Sequence, residues 1–268
     1  MTDSIAAAKL ALYIILAQPA IYCLFKHGKT GFIGWLYVQI FCVLRITTGG
    51  IGLHGSSSST GTVILNSIGL SPLLLAASGI LHEARRATNP RLNRRFDIVL
   101  EVQYHALVGA AMALIIVSVI NLQKGKDVST NETLLHVASA IIALAWVLLA
   151  VWSLWSLGKT RSSRNGRVPS LRDGMLLLYA VFIALPLLGL RLSYAIAFLQ
   201  LQISNPSSGF LSSKAIEVCL GLVPELLVTI IFVAVGVKTR NIKHDIKKLD
   251  FSKPIGENHE FRVQTAHA

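Results

Sequence analysis

Apolar positions along this chain come in long unbroken runs, not in the one-face patterns of a water-soluble fold. Seven runs cover residues 5–25, 31–53, 62–81, 98–122, 134–157, 174–199 and 215–237. Each has about the twenty residues a helix needs to cross a hydrocarbon core roughly 30 Å thick. Lipid offers the backbone no hydrogen-bond partner, so helix is the expected structure of every run. The pattern predicts an all-α polytopic membrane protein. A seven-transmembrane helix bundle takes residues 1–237, and a basic, partly disordered tail takes 238–268. Pro19, Pro72, Pro186 and Pro224 fall inside runs and are expected to kink their helices.

The polar residues between the runs set an orientation. Lys26 and Lys29 follow the first run, five arginines between Arg85 and Arg95 follow the third, and Lys159 to Arg172 follow the fifth. The loops between them are poor in positive charge. The positive-inside rule therefore places the N-terminus in the lumen and the C-terminus in the cytosol, in the endoplasmic reticulum or another endomembrane. Asn131-Glu132-Thr133 forms a glycosylation sequon in a loop expected to be lumenal.

Composition agrees. Charged residues make up 14% of the chain, against about 25% in soluble domains. The formal charge of +12 sits in short loops, and no nucleic-acid-binding motif accompanies it, so the bilayer is the expected partner. Cys23, Cys42 and Cys219 all lie inside apolar runs and read as small buried hydrophobes. Most of the tryptophans and tyrosines fall near run ends, where an interfacial belt accounts for them.

Candidate chemistry lies with the ionisable groups inside the runs, where charge is costly unless paired. One group falls in the half expected to be lumenal: Arg45, Arg191, Glu217 and Glu225. A guanidinium at the depth of Arg45 needs an acidic partner, and Glu217 or Glu225 is expected to supply it. The other group falls in the cytosolic half. Asp97, Glu101 and His105 recur at four-residue spacing and share one helix face, with Tyr104 nearby and His82 and Glu83 closing the third run. Asp97 is expected at the head groups beside Arg94 and Arg95. Either group reads equally well as a clamp that fixes helix register. No Asp-Asp pair, P-loop, HExxH motif or mid-membrane lysine in the last run is present. Those absences leave out the diphosphate–magnesium site of soluble terpene synthases, a nucleotide-driven pump, a zinc protease and a retinal Schiff base.

The segment from Pro19 to Gly50 carries the most distinctive pattern: Pro19, His27-Gly28, Gly31 to Trp35 (Gly-x-x-Gly-Trp), Phe41-Cys42, Arg45 and Gly49-Gly50. With Arg191 and Pro224-Glu225 it resembles a group of fungal seven-span integral membrane proteins. In length, span count and intramembrane carboxylates the chain also resembles the small membrane-bound terpene cyclases of meroterpenoid pathways, such as those making ascofuranone- and macrophorin-like compounds. That resemblance implies cyclisation of a prenylated aromatic substrate or its epoxide, with neither metal nor cofactor. The cation would then arise by protonation from a neutral carboxylic acid. Glu225 is the first candidate acid and Glu101 the second. Arg45, Arg191 and Glu217 would tune the carboxylates or hold the substrate's polar head, with His105 and Tyr104 beside Glu101. The alternative is a receptor-like protein or lipid exporter in which the same charges lock or gate helices. The sequence leaves the substrate and the oligomeric state open.

Overall fold

The structure, a computed structural model, describes residues 4–53, 69–89, 94–162, 169–204 and 209–242. Every regular element among them is helical: α1 (Ser4–Leu53), α2 (Ser71–Thr88), α3 (Arg94–Gln123), α4 (Val128–Ser162), α5 (Pro169–Ser204), the short α6 (Gly209–Ser212) and α7 (Lys214–Ile216), a π-helical turn (Glu217–Leu222), and α8 (Val223–Lys238). Five helices are long and apolar enough to cross a membrane: α1, α3, α4, α5 and the continuous run Lys214–Lys238. Only 28% of the most apolar stretch of α3, and of α4, is buried inside the bundle. Ile15, Phe25, Val102 and Trp155 are more than half exposed. Apolar surface on that scale belongs in lipid.

α1 is a hairpin. At about 1.5 Å per residue its 50 residues would reach roughly 75 Å if straight. Instead Tyr13 packs edge-on against Phe41, with ring centroids 5.6 Å apart, and Gly49 lies against the backbone of Ala6 and Leu10. The chain reverses at Gly28, whose φ of 69° and ψ of −160° are open to glycine and strained for other residues. The first two apolar runs therefore form the two arms, residues 4–27 and 29–53, joined with almost no loop.

α2 is the hub. Sixteen of its eighteen residues are buried, and it packs on α1, α3, α4 and α5. Gly79 and Glu83, one turn apart, face the second arm of α1. A Cβ built on Gly79 would fall 2.5 Å from Cα of Gly34, so the two backbones cross in direct contact. Such small-residue crossings replace the hydrophobic driving force that helices in lipid lack. Gly79→Ala is expected to force the helices apart and cost about 1–3 kcal/mol, seen as a lower midpoint of thermal unfolding in detergent. An unchanged midpoint would contradict the crossing.

Several sequence expectations need correction. The third run, expected over 62–81, is a helix from Ser71 to Thr88; residues 62–68 lie outside the described residues. Its polar end, His82 to Arg86, is helical because neighbouring helices supply partners for those side chains. Pro72 stands at the start of α2, where a missing N–H costs nothing, and does not kink it. Pro224 follows the π turn, in which the Val223 N–H bonds Val218 O; the wider turn accommodates a ring that would otherwise strike the preceding carbonyls. Pro19 and Pro186 lie inside the helical stretches of α1 and α5. Cys219 is exposed, unlike the buried Cys23 and Cys42. The tail beyond residue 242 lies outside the described residues.

The sequon asparagine is already engaged. Asn131 is 3% exposed, and its side-chain Nδ2 donates to the carbonyls of Lys126 (2.9 Å) and Asp127 (3.0 Å) across the α3–α4 turn. Expression in a glycosylating host followed by glycosidase digestion should leave the protein's gel mobility unchanged. A shift on digestion would show that the turn opens.

Candidate functional site

Three polar centres lie inside the bundle, each built on or beside α2.

The first joins α1, α5 and α8. Arg45 donates from Nη2 to Glu225 Oε1 at 2.5 Å, and Arg191 donates from Nε to the same oxygen at 2.6 Å. All three side chains are buried. Arg45 also lies over the Phe41 ring at 5.2 Å and Arg191 over Tyr194 at 5.4 Å. Two permanent cations on one carboxylate oxygen hold Glu225 as the anion. Glu217 is not part of this centre. It pairs with Lys9 at 2.6 Å, and its side chain is 47% exposed. The π turn between Glu217 and Glu225 turns the two carboxylates to different partners.

The second centre closes the α1 hinge. His27, immediately before Gly28, is fully buried. Its Nε2 lies 2.9 Å from the carbonyl of Gly236 in α8, and its Nδ1 lies 2.9 Å from Glu83 Oε1. A carbonyl can only accept, so Nε2 carries hydrogen and one further proton is shared along the Nδ1–Glu83 contact. Trp35 Nε1 donates to the other Glu83 oxygen at 3.1 Å. Gly31 leaves room for the Glu83 carboxylate and Gly236 for the Trp35 indole; a Cβ at either position would overlap its neighbour.

The third centre lies between α2 and α3, where Ser78, His82 and Arg85 share the α2 face toward Asp97 and Glu101 of α3. Asp97 is 1% exposed and sits within ion-pair distance of His82 (2.7 Å) and Arg85 (2.6 Å). Asp97 was expected beside Arg94 and Arg95; it is buried in the bundle, where α2 supplies both of these partners. Arg85 in turn lies over the Trp152 ring at 4.8 Å. One turn deeper, Glu101 Oε1 is 3.0 Å from the Ser78 hydroxyl and 3.5 Å from His105 Nδ1. The Ser78 oxygen is also 3.1 Å from the Leu75 carbonyl. With its hydrogen on that carbonyl, Ser78 can accept from a neutral Glu101; turned around, it donates to a carboxylate. His105 Nδ1 lies 2.8 Å from the Glu101 carbonyl, which puts the hydrogen on Nδ1 and leaves a lone pair on Nε2 in the neutral ring. Among the described residues, Glu101 Oε2, the Tyr104 hydroxyl and His105 Nε2 are buried without a hydrogen-bond partner. Tyr37 reaches from the second arm of α1 to the His105 ring at 5.2 Å.

Sequence reasoning placed Glu101, His105 and Tyr104 together and set Arg45 and Arg191 against Glu217 and Glu225, of which only Glu225 meets the arginines. It treated His27 and Trp35 as pattern residues and did not join them to Glu83. The signal was present, since Gly31 and Gly34 beside an apolar run mark close helix approach and an intramembrane histidine needs a partner.

The comparisons with known proteins bear on all three centres. Residues 1–242 match a family described as "Domain of unknown function (DUF7702)". The chain belongs to that family. The match takes in every helix that carries the centres and ends at residue 242, within the basic tail. No protein of curated function and no solved structure matches the chain.

Proposed function

We propose that this DUF7702 protein is a membrane-embedded acid–base enzyme acting on an apolar, lipid-dissolved substrate. The reaction that fits best is cyclisation of a prenylated aromatic compound or its epoxide. The observation that carries the reading is the group of three open polar atoms on one α3 face: Glu101 Oε2, Tyr104 OH and His105 Nε2. Buried polar groups without partners are uncommon and cluster where something is to be bound.

In this scheme Glu101 delivers its proton to the epoxide oxygen or the alkene. The prenyl chain closes on the resulting cation, and His105 Nε2 removes a proton to restore a double bond. One proton enters and one leaves, so the product is an isomer and no co-reactant is consumed. The phenol of Tyr104 borders the reacting centre. The Asp97–His82 pair, one turn nearer the start of α3, offers a route for returning protons. Glu225 is the poorer acid, because two guanidiniums favour its anion. Arg45 and Arg191 serve to hold that carboxylate. Microsomes from cells expressing the chain, supplied with prenylated phenols and their epoxides, should yield cyclised isomers that control microsomes lack.

The two arms of α1, α2, α3, α4, α5 and Lys214–Lys238 together support seven crossings, with the N-terminus lumenal and the C-terminus cytosolic. A C-terminal tag should then be cleaved by protease added to sealed microsomes. Protection of the tag would reverse the orientation.

A second reading is a receptor-like protein or lipid exporter without catalysis. The Arg45–Glu225–Arg191 and His27–Glu83–Trp35 sets favour it, since both tie distant helices together as locks would. Absence of product across the substrate panel, with folded protein present, would leave this reading standing.

A further inference from the structure

We propose that the centre around Arg45 and Arg191 is a binding site for a monovalent anion, of the carboxylate type carried by an ionised amphiphile or a small free acid. The argument starts from charge. Two arginines that cannot lose their protons share one carboxylate, Glu225. The neighbouring Lys9 and Glu217 cancel each other. Among the described residues the centre thus holds one uncompensated positive charge, with Arg45 4% and Arg191 7% exposed. An unmatched charge in a low-dielectric interior is costly, and a counter-ion relieves that cost.

Two donors point to where the counter-ion sits. Arg45 Nε and the Tyr13 hydroxyl are both buried and, among the described residues, without hydrogen-bond partners. Both belong to the same centre: Tyr13 packs on Phe41, and the Arg45 guanidinium lies over that ring. An N–H and an O–H beside excess positive charge suit an acceptor that is itself negative. The start of α2 adds to the field. Gly69, two residues ahead of the helix, packs on the Arg45 guanidinium at a position where any Cβ would overlap it. The positive end of the α2 dipole therefore faces the same place. The segment 54–68, which leads from Arg45 to Gly69, contains no aspartate or glutamate. Asp3 and the acidic residues beyond 242 lie outside the described residues. This site is independent of the Glu101 chemistry, and neither needs the other.

The test uses the full chain in a neutral detergent and low-chloride buffer, with thermal unfolding as the readout. Oleate, oleyl alcohol, formate and chloride are titrated separately into wild type and Tyr13→Phe. Among the described residues the phenol makes no hydrogen bond, so Tyr13→Phe should fold as well as wild type. Oleate should raise the midpoint in a saturable way and oleyl alcohol should not. The Tyr13→Phe variant should bind oleate roughly ten- to hundred-fold more weakly, as expected for losing a hydrogen bond to a charged group. Protection by formate or chloride as well would identify a free ion as an occupant; protection by oleate alone would assign the anion to an amphiphile. Equal protection by oleate and its alcohol, no protection by any anion, or wild-type oleate affinity in Tyr13→Phe would each overturn the proposal.

Discussion

Glu225→Gln is expected to strip the membrane of most of its folded protein. The wild-type carboxylate accepts from Arg45 at 2.5 Å and from Arg191 at 2.6 Å, with all three groups buried. Glutamine fills the same space but brings no charge. Both guanidiniums then stay in the bundle unneutralised, at a cost of about 3–5 kcal/mol. Set against a total stability of about 5–15 kcal/mol, that is enough to shift the population. Fluorescence-detected size exclusion of detergent extracts should show the monodisperse peak fall severalfold against wild type. Removing the whole set should be milder. With Arg45→Met, Arg191→Met and Glu225→Leu combined no charge is stranded, and replacing a buried ion network by apolar side chains is often neutral. Recovery of the peak in that triple variant would identify the centre as a lock whose members matter to folding only together. A Glu225→Gln protein that extracts as well as wild type would show that the arginines find another partner.

Much of this architecture was legible in the apolar runs because lipid leaves the backbone so few options. The last four runs reappear as α3, α4, α5 and Lys214–Lys238, the last with one residue more at each end and α4 and α5 extended by about a turn or more at both ends. The hairpin was less legible: His27-Gly28 reads as a loop with flanking lysines, and only the φ of Gly28 shows that the reversal takes place within a continuous helical trace. α2 was the least legible, since its function as the hub lies in contacts and not in hydropathy. Its residues Gly79 and Glu83 gain meaning only beside Gly34 and Trp35. The Gly-x-x-Gly-Trp pattern now has a physical account. Gly31 admits a carboxylate, Gly34 admits a backbone, and Trp35 donates to that carboxylate while filling the space above Gly236. Of the candidate site, the Glu101–His105 spacing was readable from helix periodicity. The partners of Asp97 were not legible because they come from α2, and nothing in the sequence around Asp97 marks that packing. Glu217 was misassigned because the π turn shifts the face it presents, and nothing in its immediate sequence announces that turn.

The second large effect is expected at Glu101. Its Oε1 has Ser78 within hydrogen-bond distance, and its Oε2 has no partner among the described residues. Glutamine can keep the Ser78 contact through its amide oxygen and strands no opposite charge of the arginine kind, so the folded protein should be retained. What glutamine cannot do is deliver a proton. General acid catalysis contributes about 10²–10⁴-fold, and product formation should fall by at least that range. His105→Gln should lower turnover less steeply and shift the product pattern, because the cation would still form but lose its positioned base.

The central claim, that the acid is Glu101 on α3, is tested most directly by comparing product yield per unit of folded protein in microsomes carrying wild type, Glu101→Gln and Glu225→Gln. The account predicts wild-type amounts of folded Glu101→Gln protein with no detectable cyclised product. It also predicts scarce Glu225→Gln protein whose surviving molecules still turn over. Full turnover by folded Glu101→Gln protein would contradict it.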